Sequence, residues 1–212
     1  MQDRDGNLWF STKGAGLVMA HPDALAQNGL RLMRYKNSSG DKNSISSNRV
    51  YHTLQDSKGR IWVCTFGGGL NLLERRGGKT VFFNKRNGFT GYPEYEIYAD
   101  VRMITEDKNS RLWVGTTDGL MSFDGHFNKP EKIKFETYRD IPNPGITAND
   151  ISILFKDSGG RIWIGAFGNG LNLLERYDTR KHKPVLTTYP INGSTVDVIT
   201  AITEDKRSEE HT

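Results

Sequence analysis

The sequence has a single cysteine, Cys64, among 212 residues, which excludes an intrachain disulfide. It has no run of about eighteen apolar residues of the kind that crosses a bilayer as a helix. The opening segment, MQDRDGNLWF, lacks the basic start and apolar stretch of a signal peptide, so the chain reads either as cytosolic or as a piece of a longer precursor. Proline is sparse at 7 residues against 23 glycines, a balance that suits a compact, turn-rich domain. Charge of one sign is scarce too: 29 basic and 25 acidic residues are interspersed, for a formal net charge of +4. Basic residues concentrate only around Arg75, Arg76 and Lys79 and in the tract 176–183, without stacking aromatics, so direct nucleic-acid binding is not expected.

Reactive motifs are missing as well. The histidines at 21, 52, 126, 182 and 211 are scattered, and no HExxH, CxxC or nucleophile-elbow spacing occurs. Gly67-Gly68-Gly69 lacks the Lys-Ser/Thr and helix of a phosphate cradle, and the recurring aspartates do not have calcium-loop spacing. The chain is therefore expected to be non-catalytic, with no metal and no cofactor.

What is present is a repeat. The four tryptophans, Trp9, Trp62, Trp113 and Trp163, lie 53, 51 and 50 residues apart. An aspartate stands six residues before each one, at Asp3, Asp56, Asp107 and Asp157, and Gly6, Gly59, Ser110 or Gly160 lies three residues before it. Such a stretch predicts a tight turn, since the carboxylate can bond back to the main chain and a small residue relieves the bend. Leu17, Leu70, Leu120 and Leu171, each behind a glycine, mark a second hairpin corner. About four short strands in some fifty residues fit a propeller blade, whose apolar faces are covered only by neighbouring blades. The tryptophans are thus expected to pack between blades.

The fold class read from this pattern is all-β: a β-propeller with blades of four antiparallel strands. The units are placed at 3–42 (a partial blade), 43–93, 94–143 and 144–194, with 195–205 as the first strand of a next or composite blade and 206–212 as a tail. Three continuous blades plus complementary halves leave three arrangements open: a closed four-bladed ring, two copies joined into an eight-bladed ring, or an arc of a larger propeller.

The run Asp-x-x-Gly-Arg-Ile-Trp followed by Gly-Gly-Leu-Asn resembles the blades of the two-component regulator propeller family, and so does the entry segment 43–50. The resemblance implies a seven-bladed parent and a periplasmic sensor region of Bacteroidetes hybrid two-component histidine kinases, recognising oligosaccharides and controlling polysaccharide use. It implies an oligosaccharide as ligand, the remaining blades or a second copy as protein partner, and membrane attachment only through regions of the parent. A propeller scaffold that binds protein without sugar is the alternative.

Two surfaces are candidate ligand sites. Sugar rings pair flat C–H faces with polar edges, and aromatic rings beside charged side chains suit both. The long connection 84–100 supplies Tyr92 and Tyr95, with Glu94 and Arg86 beside them. The ring end near the glycine corners supplies Phe66 and Phe167 at equivalent positions, with Arg49 and Arg102 near the starts of first strands.

Overall fold

The computed structural model describes residues 1–21, 32–94, 96–139, 149–168, 170–189 and 198–205. Among them, fifteen strands form four separate antiparallel sheets. The first sheet holds β1 (Leu8–Ser11), β2 (Leu17–Ala20) and β3 (Leu32–Tyr35). The second holds β4 (Val50–Gln55), β5 (Ile61–Thr65), β6 (Gly69–Arg76) and β7 (Lys79–Phe83). The third comprises β8 (Val101–Glu106), β9 (Arg111–Thr116), β10 (Gly119–Asp124) and β11 (Glu136–Tyr138), and the fourth β12 (Ile151–Lys156), β13 (Ile162–Ala166), β14 (Leu171–Asp178) and β15 (Lys183–Tyr189). Each is an up-and-down meander in chain order, the arrangement of a propeller blade. No helix among the described residues is long and apolar enough to cross a membrane.

The aspartate turn explains why every blade bends where it does. In the second blade, Asp56 Oδ1 accepts the amides of Lys58 and Arg60, and its backbone oxygen accepts that of Gly59. Gly59 sits at φ +82°, as do Gly6 at +83° and Gly160 at +76°; Ser110 is pulled to +62° at the same place. The other carboxylate oxygen takes the indole Nε1–H of the tryptophan six residues on, at 2.7 Å for Trp9, 2.8 Å for Trp62 and 2.9 Å for Trp113 and Trp163. Burial acts to raise the Asp157 carboxyl, but bonds from Trp163 and Arg161 outweigh it and hold the group below its ordinary value.

Alternation along the second strand then divides the blade's faces. Trp62 packs on Phe123 and Phe127 of the third blade, while Ile61 and Val63 join Trp9, Leu17 and Met19 of the first. Three inter-blade cores follow, each stocked from two adjacent sheets. At the second corner, Gly69 takes φ +77° and a Cβ there would fall 2.7 Å from Tyr92 Oη, so the corner requires glycine.

The two terminal segments bear on the closed four-bladed arrangement. Met1 and Gln2 lie beside β1: Gln2 bridges to Leu8, and Met1 exchanges two backbone bonds with Trp9. The described residues 198–205 do not pair with β1. Val198 instead bridges to Phe167, and Ile199 O accepts from Ser152 Oγ, which places the segment against the fourth blade as β12 lies against the third. The described residues form an open arc, and among them no composite blade closes a four-bladed ring.

Candidate functional site

The side chains at the inner rim are set by a recurrent irregularity. In the second, third and fourth blades the first strand slips register between its first and third residues, at Val50/His52, Val101/Met103 and Ile151/Ile153. The bulge leaves Tyr51, Arg102 and Ser152 outside the ladder and re-aims them. Beside them lie the glycine corners, tied to the strand entries by Phe66 N to Arg49 O and Phe167 N to Asp150 O, both at 2.9 Å.

Two stations of aromatic and cationic groups result. On the first two blades, Phe66 stacks on Tyr51 with ring centroids 5.3 Å apart; the Arg49 guanidinium lies 4.3 Å from the Phe66 ring and Lys13 Nζ 5.1 Å from that of Tyr51. On the third and fourth, Arg102 lies 4.8 Å from the ring of Phe167, which is 42% exposed, and pairs with Asp150 at 3.0 Å. Arg102 Nε is buried without a hydrogen-bond partner. Burial raises the Asp150 carboxyl, Arg102 opposes it and nearby Asp118 adds to it, for a net upward shift. Between the stations, Gly67, Lys85, Glu96, Ala99, Asp100 and Thr117 line an open groove of about 510 Å³. The structure thus brings the expected Arg49 to Phe66 and Arg102 to Phe167, and adds Tyr51, Lys13 and Asp150.

The connection 84–100 is built differently from the expected ligand loop. Tyr92 lies in the core at 7% exposure, its Oη donating to Tyr98 O at 2.7 Å and accepting the Leu70 amide at 3.2 Å. Burial pushes its phenol well above the usual range. Its ring is stacked near Phe89 and set edge-on to Phe135, so it has no face to offer a ligand. Arg86 donates to Ser44 O, Ile45 O and Asn84 Oδ1, which fixes the blade entry. Glu94 is exposed and, with Pro93, Tyr98, Phe135 and Thr137, borders a second open cavity of about 570 Å³. Tyr95 lies outside the described residues. Cys64 is buried, and burial raises its thiol pKa, so it packs as a small apolar group. The described residues contain no group of three or more His, Cys, Asp or Glu able to hold a metal ion.

Residues 44–67 and 96–118 match the family described as "Two component regulator propeller". No curated protein sequence matches the chain. Among solved structures, the extracellular domain of the hybrid two component system BT3049 from B. thetaiotaomicron is 22% identical with a TM-score of 0.60, over 86% of this chain and 22% of that one. The extracellular domain of BT4673 from the same organism is 19% identical with a TM-score of 0.64, over 97% of this chain and 23% of that one. A virginiamycin B lyase from Staphylococcus aureus, 15% identical with a TM-score of 0.61 over 92% of this chain and 55% of that one, shares the fold alone. The chain spans less than a quarter of the length of the sensor domains it matches.

Proposed function

We propose that this chain, whose second and third blades carry the two component regulator propeller repeat, is an arc of an extracytoplasmic sensor that binds an oligosaccharide at the inner rim. The family match at 44–67 and 96–118 supports the regulatory role, and the likeness to extracellular domains supports the location outside the cytoplasm. The observation that carries the ligand class is the pair of arginine-on-phenylalanine stations at one ring end. A partly exposed ring takes the C–H face of a sugar, and the guanidinium beside it donates to hydroxyls. Signal would follow from unequal affinity for two states of the parent, with no bond made or broken in this segment.

The test is calorimetric titration against a panel of purified oligosaccharides, repeated with Phe66→Ala and Phe167→Ala. A binding sugar whose affinity falls roughly tenfold or more in folded variants supports the reading. Unchanged affinity in both variants overturns the rim as the site. Tight binding to a purified protein, with no response to any sugar, replaces the reading by a protein-interaction scaffold.

A further inference from the structure

Adjacent blades are latched at the aspartate turns. The residue just after each turn aspartate presents its amide to the residue that precedes the aspartate of the next blade. Ser57 N and Oγ donate to the two oxygens of Glu106 at 2.7 and 2.6 Å, and Ser158 N and Oγ donate to those of Glu204 at 2.8 and 2.7 Å. At the first interface Arg4 N donates to Gln55 Oε1 at 2.8 Å. The fold therefore presents the same donor amide at three interfaces and meets it with an acceptor side chain of its own.

The interface between the third and fourth blades breaks the series. The two latch positions are Lys108 and Lys156, and an ammonium has three donors and no acceptor, so Lys156 offers nothing to the Lys108 amide. A cavity of about 160 Å³ lies at this interface, lined by Lys108, Asn109, Arg161 and Arg176 together with the carboxylates Asp107 and Glu175. Asp107 is committed to the amides of Asn109 and Arg111 and to the Trp113 indole, and Glu175 accepts from Thr187 Oγ1. Arg161 is held by Asp157 at 2.6 Å. What remains is an amide position that elsewhere receives a carboxylate, beside cationic side chains from both blades.

We infer that this interface binds the carboxylate of a soluble anion, which stands where Glu106 and Glu204 stand at the neighbouring interfaces. The inference is independent of the oligosaccharide reading, because the cavity lies at the aspartate turns and not at the glycine corners of the rim. The internal carboxylates accept from an amide and a serine hydroxyl; here the amide stands beside cationic side chains instead, whose charge-assisted bonds favour a carboxylate over chloride or neutral polyols.

The experiment is a titration of the isotopically labelled 212-residue chain with sodium acetate, and separately with glucuronate, against sodium chloride at equal ionic strength. It is followed at the backbone amides of Lys108, Asn109, Ser57 and Ser158. Saturable shifts at Lys108 and Asn109 with both carboxylates, and none at Ser57 or Ser158, are expected. Lys156→Glu supplies the internal carboxylate and should raise the acetate dissociation constant roughly tenfold or more at Lys108. The reciprocal Glu106→Lys should make the Ser57 amide newly responsive. A Lys108 response no larger with acetate than with chloride overturns the inference, and so does an unaltered response in folded Lys156→Glu. Should Lys156→Glu not fold, an unresponsive Ser57 amide in Glu106→Lys overturns it equally.

Discussion

The indole of Trp62 donates to the carboxylate of Asp56, 2.8 Å away and six residues up the chain, and this bond has a counterpart in each of the other three blades. It joins the turn that shapes a blade to the ring that packs it on the next. Trp62→Phe keeps most of the apolar contact and strips one donor from a buried carboxylate, at an expected cost of about 1 to 3 kcal/mol. Asp56→Ala removes the acceptor for two amides, the indole and Arg60 together, and should cost more, about 3 kcal/mol or above. Urea unfolding of both variants orders them; an Asp56→Ala protein as stable as the parent would refute the account.

Ser110 holds the left-handed conformation that glycine holds in the other three turns. Ser110→Gly relieves that strain and should stabilise the chain by about 1 kcal/mol, while Gly59→Ser should cost a similar amount. Thermal unfolding midpoints that move in the same direction for both changes would contradict this.

The latch between the second and third blades rests on Glu106. Glu106→Ala leaves the Ser57 amide and hydroxyl without their carboxylate and should cost about 2 kcal/mol, and Glu106→Gln, which keeps an acceptor, should cost less. Proteolysis at the 57–59 turn reads the local loosening, and equal susceptibility of the two variants would argue against the latch.

His52 lies between the second and third blades, where its Nδ1 faces the Ile104 amide at 3.5 Å and accepts only when neutral. Burial, with a smaller contribution from the N-terminal ammonium, lowers its pKa from 6.5 to about 4. The unfolded chain therefore binds the extra proton first as pH falls. His52's contribution to stability is complete above pH 6.5 and is lost on descent to about 4, by an amount of order 2 kcal/mol. His52→Gln should flatten the urea midpoint across that window, and an unaltered slope would remove His52 as the cause.

The repeat was legible because a blade must place its turn, its inward ring and its corner at fixed offsets, and those offsets are visible in one sequence. Spacing alone identified Asp56 and Trp62 as separate devices for turning and packing. Their bond was not visible, since it depends on how the turn aims the second carboxylate oxygen. Tyr92 was expected at a surface because its neighbours in the chain are polar; its contacts are Leu70, Phe89 and Phe135, and only folding brings the first and last of these to it. Tyr51 was missed because a bulge, not a change of residue type, brings it to Phe66. Arg49 and Arg102 were singled out for lying near the starts of equivalent first strands; the register puts Arg102 at the bulge, where the second blade has Tyr51, and Arg49 just before its strand.

The latches also give the arc a direction in time. The turns of the first, second and fourth blades are fastened by the residue that precedes the next turn aspartate, 49 positions later for Ser57 and 46 for Ser158. During synthesis from the N-terminus, a blade can form its own hairpins as it emerges, yet it stays unfastened until its successor's first strand has been made. Growth of the arc is accordingly ratcheted at those three turns, where a later segment secures the blade before it, while the third blade's turn goes without such a catch.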